Sequence, residues 1–441
     1  MNRAIRFRLF LMMALEYIVW GCWLPLIYNY LPSLNFGAGE QSWILNAFPA
    51  AAIIGMFFSN QYADRHFSAE RFLAFSHFVG GLAIFSLGFV TSFWPFFGLM
   101  LLHCLLYVPT LSITNSVAFA NIKDAQKEFG LIRAGGSIGW VLAAWPFTFI
   151  LVDWAKVHAA NPHGFVSWLG TVLGSGLTGV PFQHATRWTF IVAGIVSFVL
   201  AAYSLTLPHT PPKKVETGMD RFAWLEAVKL LKRPFVLILW LVAFVDSAVL
   251  YSYFNWTGIF LVAPASAGGV GMKGNWVMPV MSICQVMEIL TMVILGATLK
   301  RLGWRWTMVA GILGHSLRFA IYAFFPYTVP VVVVQLVHGV CYAFFFAAVY
   351  IFVDEYFPKD VRASAQGLFN VVILGVGALA ANSICPYLLQ DVFTHNGLVD
   401  FRGLFELPLA AATLAAIALA LLFHPPAKEK IEPAAERAVA A

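Results

Sequence analysis

Apolar runs of about the twenty residues that a helix needs to cross a 30 Å hydrocarbon core return along the whole chain. They fall at 8–30, 43–62, 72–92, 95–119, 130–152, 187–207, 234–262, 276–299, 304–325, 328–352, 361–388 and 402–423. Their continuity excludes an outer-membrane barrel, whose strands alternate polar and apolar residues over about ten positions. Helices satisfy their own backbone hydrogen bonds, so the runs read as helices. Only 11% of the residues are charged and 60% are hydrophobic, against roughly 25% charged in soluble domains. A water-facing surface cannot be assembled from what remains. The expected fold class is an all-α integral membrane protein with twelve transmembrane helices.

The positive-inside rule orients these spans by the Lys and Arg of short loops and helix ends. With the N-terminus inside, 21 basic residues fall on the inner segments, including Arg65, Lys213, Lys300, Arg301 and Lys428. Only four, Lys156, Arg187, Lys273 and Arg402, fall outside, while Arg133 and Arg318 lie within spans. Both termini are therefore expected in the cytoplasm, and the net charge of +6 belongs to topology, not to a nucleic-acid surface. The first apolar run follows basic residues as a secretory signal would, but it continues to Tyr30 without a small-residue cleavage site and reads as a helix that is kept.

The five cysteines, Cys22, Cys104, Cys284, Cys341 and Cys385, lie inside apolar runs without a C-x-x-C pair. The 11 histidines show no H-x-x-x-H or H-E-x-x-H spacing. No metal or cofactor is expected. An enzyme would need a metal or a nucleophile with its base, and neither pattern is present.

A polar segment at 208–233, opening Pro208-His209-Thr210-Pro211-Pro212-Lys213-Lys214, divides six spans from six. The expected domains are an N-terminal bundle at 1–207, a cytoplasmic linker at 208–233, a C-terminal bundle at 234–423 and a tail at 424–441. The stretch from Asp153 to His184, with an apolar segment from Trp168 to Val172, either lies on the membrane surface or covers the outer entrance. The halves echo each other after the second span of each. Asn60-x-x-x-Asp64-Arg65 with Arg71 stands in the first, and Gly296-x-x-x-Lys300-Arg301-x-Gly303-x-Arg305 in the second. Two bundles, a basic linker and this paired loop resemble the major facilitator superfamily, in which two halves rock about a site between them.

Charged groups at mid-bilayer cost about 2.5–3.5 kcal/mol even on mild insertion scales, so each needs a reason. On the eighth span Ser282, Gln285 and Glu288 stack on one face and can present hydroxyl, amide and carboxylate to a cavity. On the fifth, Arg133, Ser137 and Trp140 share a face, and Gly135, Gly136 and Gly139 let a neighbouring helix come close. Arg133 lies near the cytoplasmic end, where snorkelling to the headgroups is the competing reading. Glu16 shares a face with Trp20 and Trp23, and a lone carboxylate among aromatics is a candidate proton carrier, as is Asp246 in the seventh span. For each carboxylate the alternative is a permanent bond to a neighbouring helix. On the tenth span His338, Tyr342 and Phe346 follow at steps of four, a stacking face for a flat ring or a packing stripe. His315 and Arg318 sit one turn apart in the ninth span without a role that spacing alone assigns.

Several strings resemble the nucleoside:proton symporter family. They are Trp20-Gly21-Cys22-Trp23-Leu24, Tyr107-Val108-Pro109-Thr110 with Thr114-Asn115-Ser116, Ile132-Arg133 with Ile138-Gly139, Ser282-Ile283-Cys284-Gln285 with Glu288, Leu317-Arg318-Phe319-Ala320, and Val361-Arg362-Ala363-Ser364-Ala365-Gln366-Gly367. The resemblance implies nucleoside import by alternating access, coupled to protons, in the cytoplasmic (inner) membrane by a monomer. It implies solute contacts from Arg133, Ser137, Gln285 and Glu288, with the aromatic Trp140 and Tyr342 beside them; His338 and Tyr251 are further candidate contacts from their place on the tenth and seventh spans. Two departures stand out. Tyr251 and Phe254 lie where such permeases carry amides, and Ala343 lies where they carry an acid implicated in proton coupling. The proton-coupling candidates here are Glu16, Asp246 and Glu288, with Glu16 preferred because such permeases carry an amide at its position, and loss of coupling is the alternative. The rival readings are a permease for another sugar-bearing or aromatic solute and a non-transporting membrane sensor on the same scaffold.

Overall fold

The structure, a computed structural model, describes residues 3–55, 67–122, 125–211, 228–357 and 359–425. Asn60, Asp64 and Arg65 of the first loop, residues 212–227 of the linker and residues 426–441 of the tail lie outside the described residues.

The architecture is helical, with one short two-stranded hairpin pairing Thr394–His395 with Leu398–Val399. Among the described residues eight helical stretches are long and apolar enough to cross a membrane. One of them contains two of the expected runs. Its helical residues, Val277–Phe324, number 48 and would reach roughly 70 Å if straight, more than twice the hydrocarbon core. Gly303, with φ 70° and ψ 175°, breaks it where the basic loop is expected. A positive φ is open to glycine without the steric cost that a Cβ brings.

The second, third and fifth runs are helical but shorter or more polar. The second divides at Asn46 into Ala38–Leu45 and Ala47–Ile54. The third, Ala69–Leu87, stops five residues before the expected end at 92. The fifth, Ala125–Ala144, stops at a turn through Trp145 and Pro146 and resumes for one turn at Phe147–Ile150, since proline withholds a helical N–H. The seventh run coincides with the helix Pro234–Val262, which carries proline in its first turn, where no N–H partner is needed.

The linker leaves the first half clipped to the third-run helix. Glu70 accepts from the Thr210 backbone N–H at 3.0 Å and meets His209 Nδ1 at 2.7 Å. The stretch after Asp153 forms three short helices, Trp154–Ala160, Phe165–Gly174 and Gly179–Ala185. Asp153 caps the first, and the Lys156 backbone N–H holds its carboxyl below the usual carboxylate range. Phe165 and Val166 are exposed. The other side of this stretch grips the second half: Leu173 O accepts from Trp276 Nε1 at 3.0 Å, and Leu177 O accepts from Gly274 N at 3.0 Å. Of the two readings of the stretch, these contacts favour a cover that spans both halves.

Further bonds join the halves at the end opposite the termini. Asn46 Nδ2 donates to Ser383 Oγ at 2.8 Å, and Asn382 Nδ2 donates to Leu45 O at 3.0 Å while its Oδ1 accepts from Asn255 at 2.9 Å. At the end near the termini, the ion pair Arg6–Glu128 and the Arg305–His424 contact each stay within one half.

Candidate solute-binding site

Between the halves lies a cavity of about 370 Å³, a size suited to a small organic molecule. The first half supplies Arg133, Ser137 and Trp140, and the second supplies Tyr251, Gln285, Glu288, His338 and Tyr342. All eight residues singled out as solute contacts in the sequence therefore line one chamber.

Local helix geometry explains much of this convergence. Positions 133, 137 and 140 share one face of Ala125–Ala144, and the neighbouring glycines seat that helix against the first. A Cβ at Gly135 would lie 2.5 Å from Phe10 O, and one at Gly139 would lie 2.2 Å from Ala14 O. The resulting approach places the Arg133 guanidinium 4.4 Å from the centre of the Tyr17 ring. Arg133 thus turns inward, and the snorkelling alternative does not hold. Trp20 stacks on Phe48 at 4.8 Å and meets Trp140 edge-on at 5.2 Å, which gives the chamber an aromatic end.

On the second half Glu288 and Gln285 project from one face of their helix, with Gln285 Oε1 accepting from Cys284 Sγ at 3.1 Å. Ser282 does not join them. Its hydroxyl donates to Pro279 O at 2.7 Å and it does not line the chamber, so the expected three-residue face reduces to two. Backbone competition of this kind is common for helical serine. His338 reaches the wall at 3% exposure, with Nδ1 2.8 Å from Arg318 Nη2.

Glu16 lies outside the chamber, in the interior of the first half. It is no lone carboxylate: Oε2 meets His77 Nε2 at 2.9 Å, and Oε1 accepts from Thr110 Oγ1 at 2.6 Å. His77 comes from 61 residues away, beyond the reach of any helical spacing. Trp23 likewise leaves the chamber and packs edge-on to His103 at 6.1 Å. Asp246 is also outside, fully buried, with His315 Nε2 at 3.8 Å.

Tyr17, Ser112, Tyr350 and Asn370 also line the chamber and were not picked out from the sequence. Tyr350 had a signal, since it extends the 342, 346 line by another step of four. Its hydroxyl donates to Asn370 Oδ1 at 2.6 Å. Asn370 stands in another helix and offered no such pattern.

The family model described as "Nucleoside H+ symporter" matches residues 3–178 and 163–428. The chain belongs to the nucleoside H+ symporter family. It is accordingly a membrane transporter and not an enzyme. Among curated relatives of this symporter, YegT of Escherichia coli (strain K12) is 28% identical over 433 residues, covering 95% of this chain and 93% of its own length. The xanthosine permease of the same organism is 27% identical over 417 residues, covering 91% of this chain and 92% of its own. Among solved structures, a crystal structure of a variant of the nucleoside transporter NupG superposes with a TM-score of 0.79 at 23% identity, covering 95% of this chain and all of the other. That likeness establishes the transporter fold. Within this symporter both departures take structural form: Tyr251 and Phe254 face the chamber, whereas Ala343 is fully buried and outside its lining.

Proposed function

We propose that this symporter imports nucleosides across the cytoplasmic membrane by alternating access, with protons as the driving ion. In this reading twelve helices form two bundles, at 1–207 and 234–423, joined by a cytoplasmic linker at 208–233, with both termini in the cytoplasm and a monomer as the working unit. The observation that carries it is the common chamber of Arg133, Ser137 and Trp140 from one half with Gln285, Glu288 and His338 from the other. A solute held by both halves is the requirement for a site about which they rock.

The chemistry suits a nucleoside. Trp140 and Tyr342 offer faces for a flat base. Gln285 and the Glu288 carboxylate can bond ribose hydroxyls, and Arg133 supplies donors for base carbonyls. Of the candidate carboxylates Glu16, Asp246 and Glu288, Glu16 is held by His77 and Thr110, which leaves Asp246 and Glu288 to carry the coupled proton.

Counterflow of labelled uridine and adenosine in proteoliposomes tests the reading, with wild type exchanging label and Glu288→Gln slowing it at subsaturating solute. Binding without exchange would instead mark a sensor. Exchange competed by free sugars or other aromatic solutes, and not by nucleosides, would assign a different cargo. The aromatic replacements at Tyr251 and Phe254 make that outcome worth measuring.

A further inference from the structure

Behind the chamber wall, the second half holds ionisable side chains whose hydrogen-bonding capacity is unused. Asp246 is 0% exposed, and neither of its carboxylate oxygens has a hydrogen-bond partner among the described residues. Its Oδ2 lies 3.8 Å from His315 Nε2, and both ring nitrogens of His315 are equally unpartnered. One turn further along, Arg318 is also fully buried. Its Nη2 contacts His338, its guanidinium lies 4.4 Å from the Tyr253 ring centre, and its Nε and Nη1 have no acceptor among the described residues.

The remaining groups that face this cluster are accounted for. Tyr253, from the Asp246 helix, donates to Gln335 Oε1 at 3.1 Å, and Gln335 Nε2 donates to the Tyr322 hydroxyl at 2.7 Å. Cys284 donates to Met281 O, and Cys341 donates to Val337 O. Among these groups Asp246 is the carboxylate, and His315, one turn before Arg318, is the side chain nearest to it. Ions buried without full hydrogen bonding cost several kcal/mol each, and apolar packing would be cheaper. Structural clusters satisfy most of their polar atoms; among the described residues this one leaves six of them open across Asp246, His315 and Arg318.

Arginine only donates. Nδ1 of His338 must therefore accept from Arg318, which places the single ring proton on Nε2 and makes this chamber-wall imidazole neutral. His338 belongs at once to the chamber and to the charge cluster behind it.

We propose that Asp246 and His315 form the proton-carrying site of this symporter, and that Arg318 and His338 connect it to the solute chamber. The proposal rests on the proton-coupled reading above. With Asp246 ionised, its charge balances Arg318. A proton on Asp246 leaves the guanidinium unbalanced, and its field falls on His338 and the chamber wall. Whatever a solute does to the Arg318–His338 bond, it does to the proton affinity of Asp246 by linkage. The gap to His315 exceeds a hydrogen bond of about 2.7–3.2 Å by well under the width of an atom, so a small shift closes it. The cluster is sealed from solvent here, so its proton exchanges when the halves rearrange.

The experiment uses full-length protein in proteoliposomes with uridine and adenosine as probes. It reads counterflow without a gradient, accumulation under an imposed pH gradient, and solute-induced alkalinisation of the medium. In Asp246→Asn, counterflow persists, accumulation falls to the equilibrium ratio and alkalinisation disappears; Asp246→Glu restores part of both. His315→Gln shifts the pH profile of accumulation. An Asp246→Asn protein that accumulates solute and draws protons as wild type does overturns the proposal. If that variant is not recovered folded, His315→Gln decides, and an unchanged pH profile overturns it. A wild-type protein that exchanges nucleoside without moving protons overturns proton coupling altogether, and one that exchanges no nucleoside overturns the assigned cargo.

Discussion

Nε2 of His77 lies 2.9 Å from Oε2 of Glu16, and both side chains are shut away from solvent inside the first half. The pair is fully supported: Thr110 donates to the other carboxylate oxygen, and His77 Nδ1 meets Ser197 Oγ at 3.1 Å. Asp246 is equally buried but has no such support. The contrast separates a carboxylate that ties three helices together from one left open to a proton.

Glu16→Ala removes the shared acceptor of His77 and Thr110; Thr110 keeps its bond to Tyr107 O, and the buried His77 Nε2 is left without a partner. A loss of about 1–3 kcal/mol per unsatisfied group is expected, read as a lower midpoint of thermal unfolding in detergent. Glu16→Gln keeps the side-chain volume, and solute-induced proton uptake is expected to survive it. Loss of proton uptake with stability intact would return Glu16 to the coupling mechanism.

Gly139 carries the contact between the first and fifth helices. Gly139→Ala forces the added methyl into Ala14 O, and overpacking of this kind costs about 1–3 kcal/mol. Gly98, with nothing within 4 Å of its would-be Cβ, is the matched control. Gly98→Ala is expected to stabilise its helix by about 0.5–1 kcal/mol. Unfolding midpoints of the two variants moving the same way would contradict this packing account.

Arg133→Lys retains the charge but loses the planar guanidinium that lies against Tyr17. Cation–π contacts contribute about 0.5–2 kcal/mol, and a flexible ammonium cannot reproduce the fork of donors. Weaker uridine binding by calorimetry is expected, by roughly three- to thirtyfold, together with a modestly lower unfolding midpoint from the lost Tyr17 contact. Wild-type affinity in the lysine variant would remove Arg133 from the solute contacts.

Asn382 ties the two halves together at the end away from the termini by bonding Leu45 O and Asn255. Asn382→Leu leaves Leu45 O without this donor and one N–H of the Asn255 amide open, while the Asn255 Nδ2 still donates to Tyr251 O; a cost of about 1–3 kcal/mol per open group favours the opposite-facing state. Faster hydrogen exchange across 38–54 is the expected readout, and unchanged protection there would show that this latch does not set the balance.

Much of the site was legible because helical periodicity converts spacing into direction. Arg133, Ser137 and Trp140, like Gln285 and Glu288, repeat at steps of three and four, and such steps share a face whatever the neighbours are. Periodicity names the face and not what it meets. Ser282 fits the same spacing and bonds its own helix, while Glu16 shares a face with Trp20 yet turns to His77. Only the packing of distant segments distinguishes these cases.

The sequence by itself determined that this chain is a set of apolar helices, where the helix break at Gly303 falls, and which polar residues could share a wall. Those properties follow from hydropathy, backbone geometry and spacing, all of which act over a few neighbouring residues. The tertiary structure alone decided that residues from the two halves enclose one chamber, that Glu16 is paired while Asp246 is not, and that Arg318 reaches the wall through His338. These are contacts between helices far apart in the chain, and their pairing depends on how whole surfaces pack.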